Sequence, residues 1–251
     1  MSPAEATAVH TRLLKFALEV DESRAYWQHT TPGATPNPLA AFEGWWFGDR
    51  SLPRVSELLS TLRGRYDAYP SALRALQRWQ PAAPDTRALV CHWHLQLSDP
   101  LYRAFTGEYL VQRRASHPPT VHRDAVVAWV SDQGPGRWTM ATRIQFASKL
   151  LSAAHAAGLV GGQRDPRPLG LPTVKDEALA YLLHLLREVQ FEGTLLQNPY
   201  LAALGLTGDA LEDRLRTLPG LTYRRQGGLT ELDWQHPSLE AWAAAHAPSS
   251  P

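Results

Sequence analysis

Residues 121–160 have the sequence VHRDAVVAWVSDQGPGRWTMATRIQFASKLLSAAHAAGLV, and this segment decides the fold assignment. Apolar residues recur at helical spacing from Arg123 to Gln133. The Gly134-Pro135-Gly136 segment cannot continue a helix. Thr139 is a suitable N-cap for a second helix that begins near Met140. The segment therefore predicts two helices joined by a tight turn.

The second predicted helix has two sides of different chemistry. At about 100 degrees per residue, one side is apolar and the other carries hydroxyl, amide and amino groups. The apolar side comprises Ile144, Ala147, Leu151 and Ala154, and the polar side comprises Thr142, Gln145, Lys149 and Ser152. This arrangement is typical of helix-turn-helix DNA-binding proteins. The alternative is an ordinary helical hairpin with a solvated face, because most amphipathic helices recognise nothing.

The charge is distributed unevenly along the chain. Lys and Arg against Asp and Glu number 9 against 9 in residues 1–85, 10 against 5 in 86–168, and 6 against 10 in 169–251. The positive excess therefore lies in the segment that contains the predicted helix-turn-helix. Phosphate binding requires a local surplus of this kind.

Further helical patterns lie on both sides of this segment, and three connections rich in Pro, Gly, Ser or Thr separate them. The predicted helices are Ala8–Val20, Leu52–Tyr66, Ser71–Trp79, Arg87–Leu97, Pro100–Arg114, Val174–Phe191, Pro199–Leu204 and Gly208–Leu218. We predict a mainly α protein, a helical bundle with helix-turn-helix and winged-helix features and one short C-terminal β-hairpin. The predicted domains are an N-terminal helical block (1–85), a basic block with the helix-turn-helix (86–168) and a C-terminal winged-helix-like block (169–251).

The hairpin is predicted where the sequence period changes from helical to alternating. Residues 221–225 and 229–234 have strand character around Gln226-Gly227-Gly228. The preceding helix carries three carboxylates, which would repel phosphates, so a packing or protein-contact role is favoured for it. Arg224 and Arg225 near the hairpin tip could still contact a backbone phosphate.

The sequence does not favour an enzyme. Cys91, His92 and His94 lie close together but lack zinc-finger or HExxH spacing, so structural or surface histidines are the preferred interpretation. No phosphate-binding loop, dinucleotide fingerprint or nucleophile elbow occurs. We therefore expect no catalytic residues, no metal and no cofactor. A single cysteine and the lack of a long apolar segment lead us to expect a cytoplasmic location without membrane insertion.

The aromatic segment Trp45-Trp46-Phe47 allows two interpretations. It could form an exposed platform on which single-stranded nucleic acid stacks. Core burial is preferred, because the neighbouring polar residues are Glu43 and Asp49, which disfavour a phosphate backbone.

The chain resembles the BrxA family, the small accessory component of BREX phage-defence systems, from about Ala41 to Trp242. The similarity is clearest in three places. The first is Asp99-Pro-Leu-Tyr-Arg-Ala-Phe105 running to Arg113-Arg114. The second is Trp138-Thr139-Met-Ala-Thr142-Arg143, followed by Ala147-Ser-Lys149-Leu-Leu and Gly158-Leu-Val160. The third is Tyr181-Leu-Leu183 through Phe191, together with Arg224-Arg225 and Leu239-Glu-Ala-Trp242. The sequence departs from the family pattern near its start, at residues 30–38 and at Trp45-Trp46.

The resemblance implies a mainly helical, non-enzymatic protein that binds double-stranded DNA beside other phage-defence components. It implies that Thr139, Thr142, Arg143 and Lys149 face DNA. Together with the residue patterns, it gives the predicted DNA-binding residues Arg113, Arg114, Arg137, Thr139, Thr142, Arg143, Gln145, Lys149, Arg224 and Arg225. The alternatives are a protein-protein adaptor and a free-standing transcriptional regulator. The sequence leaves the oligomeric state and any DNA sequence preference open.

Overall fold

The computed structural model of the chain describes residues 2–134, 136–227 and 229–248 and is mostly helical, as predicted. The helices are α1 (Arg12–Lys15), α2 (Val20–His29), α3 (Pro38–Glu43), α4 (Leu52–Tyr66), α5 (Pro70–Trp79), α6 (Pro84–Ser98), α7 (Pro100–Ala104), α8 (Leu110–Arg114), α9 (Arg123–Asp132), α10 (Met140–Ala156), α11 (Asp176–Glu188), α12 (Pro199–Ala202), α13 (Gly208–Thr217) and α14 (Leu239–Ala245). A π-helical segment, Phe105–Tyr109, joins α7 to α8. Within the described ranges, no helix is long and apolar enough to cross a membrane.

Helix α6 forms the centre of the molecule. Every side chain from Leu89 to Leu97 is buried, so this helix has no solvent-facing side along that length. Helices α2, α4, α7, α10 and α11 pack against it. A helix buried on all sides must satisfy its polar side chains from its neighbours.

Buried side chains from all three sequence blocks belong to one hydrophobic core. The C-terminal helix α14 packs along α5, where the rings of Trp79 and Trp242 meet edge to face with centroids 4.9 Å apart. The blocks 1–85 and 169–251 are therefore in direct contact, and the division at residues 85 and 168 stays a prediction.

The predicted helix Ala8–Val20 is wrong in its extent. Only Arg12–Lys15 is helical, Phe16 is extended, and α2 begins at Val20. The buried Arg65 guanidinium donates to the main-chain carbonyls of Ala17 (2.9 Å) and Leu18 (2.6 Å). The Arg65 guanidinium thus replaces the main-chain amides that would bond these two carbonyls in a helix. This tertiary contact overrides the helical spacing of the local sequence.

The predicted C-terminal hairpin is confirmed. Strands β3 (Leu221–Gln226) and β4 (Leu229–Trp234) pair antiparallel, with Leu221 opposite Trp234. Gly228, in the predicted turn, lies outside the described residues. Two further short strands, which were not predicted, pair antiparallel: β1 (Thr120–Val121) and β2 (Arg167–Pro168).

The prediction that Trp45 is buried in the core is wrong, whereas Phe47 is buried as predicted. The Trp45 side chain is 66% exposed, and its backbone adopts φ 54°, a left-handed conformation that bulky residues rarely accept. Such strain costs roughly 1–3 kcal/mol and persists only where the surrounding structure imposes it. Trp46 is half-buried and stacks on His29 with ring centroids 4.9 Å apart.

We predict that Trp45→Gly is more stable than Trp45→Ala by about 1 kcal/mol. Both substitutions remove the same exposed indole, but only glycine relieves the left-handed strain. Urea denaturation of the two variants measures this difference. Equal stability would show that the φ of this residue stores no strain.

Candidate nucleic-acid interface

Helices α9 and α10 pack against each other and are joined by residues 133–139, of which Pro135 lies outside the described residues. The strand β1 immediately before α9 pairs with β2, which follows α10, so the two ends of this unit are held together. The α9–α10 unit is therefore fixed at its base. The predicted beginnings of both helices, Arg123 and Met140, are confirmed.

Thr139 is the N-cap of α10, as predicted. Its backbone is extended, and its Oγ1 accepts a hydrogen bond from the Thr142 amide at 3.3 Å. The two threonine hydroxyls lie 3.0 Å apart, within hydrogen-bond distance. The first turn of α10 contains no carboxylate, so its positive end is not neutralised by a side chain of its own.

The inner side of α10 is packed into the core and its outer side is open. The buried residues are Phe146, Ala147, Leu150, Leu151, Ala153 and Ala154, and the exposed ones are Met140, Ala141, Ile144, Gln145, Ser148, Ser152, His155 and Ala156. Gln145 and Ser152 face solvent as predicted, while Thr142, Arg143 and Lys149 are half-buried. The prediction for Ile144 is wrong, since it lies on the outer side and is 40% exposed.

Arg137, just before α10, and Arg143, in its first turn, bond to neutral groups only. Arg137 donates from Nη2 to the Val9 carbonyl at 2.8 Å, and its guanidinium lies 5.3 Å from the centre of the Trp138 ring. Arg143 donates from Nη1 to the Ser131 hydroxyl of α9 at 3.2 Å. These bonds orient the two guanidinium groups without neutralising their charge.

The two arginines of α8 differ in how they are held. Arg113 donates from Nε (3.3 Å) and Nη2 (3.0 Å) to the Thr120 carbonyl, which fixes α8 to β1. Arg114 is half-buried, and its Nε and Nη2 have no hydrogen-bond partner among the described residues. Burial lowers the pKa of Arg114 to about 10, so it stays charged at neutral pH.

The basic segment differs from the rest of the chain in how its cations are paired. Of the ten Lys and Arg in residues 86–168, only Arg103 and Arg167 form ion pairs within the described ranges. The exposed carboxylates of α9, Asp124 and Asp132, form none there. The positive charge around α9 and α10 is therefore largely uncompensated by direct contacts.

Two more cations of this segment were missed as candidates from the sequence. Arg123, at the start of α9, and Arg164, just before β2, are both exposed, and their guanidinium groups form no ion pair among the residues described. The Arg123 main-chain amide donates to the Asp165 carboxylate at 2.7 Å, so one negative charge lies close to them. The pairing of β1 with β2 brings their segments together. Two-residue strands give no recognisable sequence period, so this proximity was not predictable.

The C-terminal hairpin presents a contrasting arrangement. Arg225 pairs with Glu212 of α13, and Arg216 pairs with Glu212 and Asp213. Arg224 is exposed on the same strand. A phosphate would have to compete with carboxylates for Arg225, which leaves Arg224 as the freer of the two predicted contacts.

The histidines near Cys91 are buried in α6 and bonded to tyrosines. His92 Nδ1 lies 2.9 Å from the Tyr102 hydroxyl, and His94 Nε2 lies 2.7 Å from the Tyr181 hydroxyl. Burial lowers the pKa of both histidines to about 3, so both are neutral at physiological pH. The described residues contain no group of three or more potential metal ligands.

Comparison with known proteins gives one similar fold and no family. The chain resembles the crystal structure of an uncharacterized protein from Magnetospirillum magneticum, with a TM-score of 0.55 and 14% sequence identity. The match covers 72% of this chain and 98% of that chain. No family model and no curated protein matches the sequence. The similarity at this identity supports the fold alone.

We predict that Thr139→Ala lowers the free energy of unfolding by about 1 kcal/mol, because it removes the N-cap of α10. Gln145→Ala, on the open side of the same helix, should change stability by less than about 0.5 kcal/mol. Urea denaturation of both variants gives the comparison. Equal effects would mean that the Thr139 hydroxyl does not cap the helix.

We predict that the protein loses stability in acid through its buried histidines. In the unfolded chain His92 and His94 bind a proton below a pKa near 6.5, whereas in the folded state they do so only near pH 3. The free energy of unfolding therefore decreases as the pH is lowered below about 6.5. His94→Gln should remove about 2 kcal/mol of the loss between about pH 7 and about pH 5. Urea denaturation at the two pH values measures it.

Tyr181→Phe is the matched control, because it deletes the hydroxyl partner of His94 but leaves the buried imidazole in place. It should lower stability at both pH values and keep the pH dependence of the wild type. An unchanged pH dependence in His94→Gln would contradict burial of a neutral imidazole at this position.

Proposed function

We propose that the protein binds double-stranded DNA through the α9–α10 unit. The observation that supports this most directly is that eight of the ten Lys and Arg in residues 86–168, the segment that contains this unit, form no ion pair among the described residues. Phosphate binding depends on such uncompensated charge, and it supplies much of the affinity of DNA-binding proteins. We interpret α9 and α10 as a helix-turn-helix, with a connection longer than the usual three or four residues.

In this proposal the residues have two kinds of role. Arg113, Arg114, Arg137 and Lys149 contact phosphates, while Thr142, Arg143 and Gln145 lie nearest the bases. The exposed Gln145 amide carries both a donor and an acceptor, which is the pattern that reads adenine in the major groove. Met140 and Ile144, exposed on the same side, would contact thymine methyl groups.

The resemblance to the BrxA family extends the proposal to a biological setting. We propose a non-enzymatic accessory protein of a BREX-type phage-defence system, with other components of that system as further partners. The hairpin and α13 would then form a winged-helix-like unit in which Arg224 is the freer cation. A free-standing regulator is the alternative, and the neighbouring genes distinguish the two.

We predict that duplex DNA binding weakens steeply as salt rises from about 50 to about 200 mM. Arg137→Ala and Lys149→Ala should each weaken binding to all sequences and reduce the steepness of the salt dependence by about one unit. Gel-shift titrations over that range measure both effects. Gln145→Ala should change the preference between sequences and leave the salt dependence intact.

Arg78→Ala provides the control, since Arg78 is an exposed cation at the end of α5, a helix that does not pack against α10. It should bind DNA as the wild type does. Binding that ignores ionic strength, or that Arg137→Ala and Lys149→Ala leave unchanged, would contradict the proposed interface.

A protein-protein adaptor is a second candidate function, and one observation favours it. Four of the eight exposed large apolar side chains of the described residues lie within residues 39–52. Exposed apolar residues that cluster in this way mark interaction surfaces more often than single ones do. The two functions use different parts of the molecule and are compatible.

A further inference from the structure

A cluster of apolar side chains faces solvent on α3 and in the turn that follows it. Leu39 is 50% exposed, Phe42 is 40% exposed and Trp45 is 66% exposed. Leu39 and Phe42 are three residues apart on one helix face, and the Trp45 amide donates to the Phe42 carbonyl at 3.1 Å. With Glu43 and Asp49, these residues form what we call the acidic aromatic patch.

The fold holds Trp45 outward instead of leaving it loose. Its left-handed backbone is followed directly by two anchored aromatic residues, Trp46 stacked on His29 and Phe47 buried in the core. The Trp46 amide donates to the Ala41 carbonyl at 3.1 Å, which closes the turn. The backbone that carries Trp45 is therefore fixed by its neighbours, so little backbone freedom is lost when a partner contacts the exposed ring.

The acidic residues that flank Trp45 in the sequence are unpaired. Glu43 and Asp49 are exposed and form no ion pair with any described residue. The adjacent Arg50 donates to Glu22 at 3.1 Å, so its charge is already paired. A phosphate backbone would be repelled here, whereas a lysine or arginine would gain both the carboxylates and the face of the Trp45 ring.

We propose that the acidic aromatic patch binds a segment of a partner protein that carries lysine or arginine beside an apolar anchor. The anchor packs between Leu39, Phe42 and Trp45, and the cation lies over the indole and near Glu43 or Asp49. Trp and Arg are among the residues most enriched at the energetic centres of protein interfaces. The patch carries no cation of its own without a partner among the described residues, so its chemistry is opposite to that of the α9–α10 unit.

The proposal is tested with the full-length protein and three fluorescein-labelled helical peptides. One has leucine on one face and lysine on the other, the second has glutamate in place of lysine, and the third has serine in place of leucine. Fluorescence anisotropy should show binding of the leucine-lysine peptide at least about tenfold tighter than either of the others. Trp45→Gly should weaken that binding at least about tenfold, while the backbone at this position is retained.

Leu229→Ala is the matched control, because Leu229 is 80% exposed on β4 and lies outside the patch. It should bind the leucine-lysine peptide as the wild type does. Glu43→Lys combined with Asp49→Lys should transfer the preference to the leucine-glutamate peptide. Thermal unfolding followed by circular dichroism confirms that each variant is folded.

Three outcomes would overturn the proposal. Binding of the leucine-lysine peptide that Trp45→Gly leaves unchanged would place the contact elsewhere. A concentration-dependent dimer in sedimentation that Trp45→Gly abolishes would assign the patch to a second copy of the chain. Binding of oligo(dT) that Trp45→Gly abolishes would assign it to single-stranded nucleic acid. Loss of duplex binding in the gel shifts concerns the α9–α10 unit only, so the two proposals fail separately.

Discussion

Burial of α6 on every side is the constraint on which the rest of the structure depends. Its sequence includes His92, His94 and Gln96, and these must find partners without water. Tyr102 of α7, Tyr181 of α11 and Thr106 of the π-helical segment each bond one polar atom of these side chains. The second polar atoms, His92 Nε2, His94 Nδ1 and Gln96 Oε1, have no hydrogen-bond partner among the described residues. The surrounding helices are therefore positioned by hydrogen bonds of fixed geometry as well as by apolar packing. A central helix of this kind leaves its neighbours only their outer sides for function.

Helix α10 illustrates that limit. Its inner side contacts α6, α9 and α1, so recognition could involve only its outer side and its N-terminal end. The exposed residues there combine an amide, hydroxyls and two apolar side chains, and the arginines nearby bond to neutral oxygens. Neutral partners fix a guanidinium in place while its charge remains available to an anion. The same arginines paired with carboxylates, as in α13, would be far less available.

The sequence was sufficient where local chemistry decides the structure. Proline at the start of α4 and α5, Thr139 at the start of α10 and the alternating strands of the hairpin were all predictable. It was insufficient where distant residues decide. The end of α1 depends on Arg65, which lies almost fifty residues away, and the pairing of Arg225 with Glu212 depends on how the hairpin packs on α13. Trp45 is exposed because Trp46 stacks on His29 and Phe47 is buried in the core, and the sequence does not show these contacts.

The two proposed surfaces have opposite charge, and this bears on whether the protein is a DNA binder or an adaptor. A basic surface attracts phosphates and repels a basic protein segment, and an acidic surface does the reverse. Surfaces of opposite sign on one hydrophobic core would therefore select different partners without competing for them. In the proposed arrangement, a chain whose net charge is only +1 binds DNA through residues 86–168, where ten Lys and Arg outnumber five Asp and Glu. Binding DNA and binding a basic protein segment would then be the two halves of one bridging role.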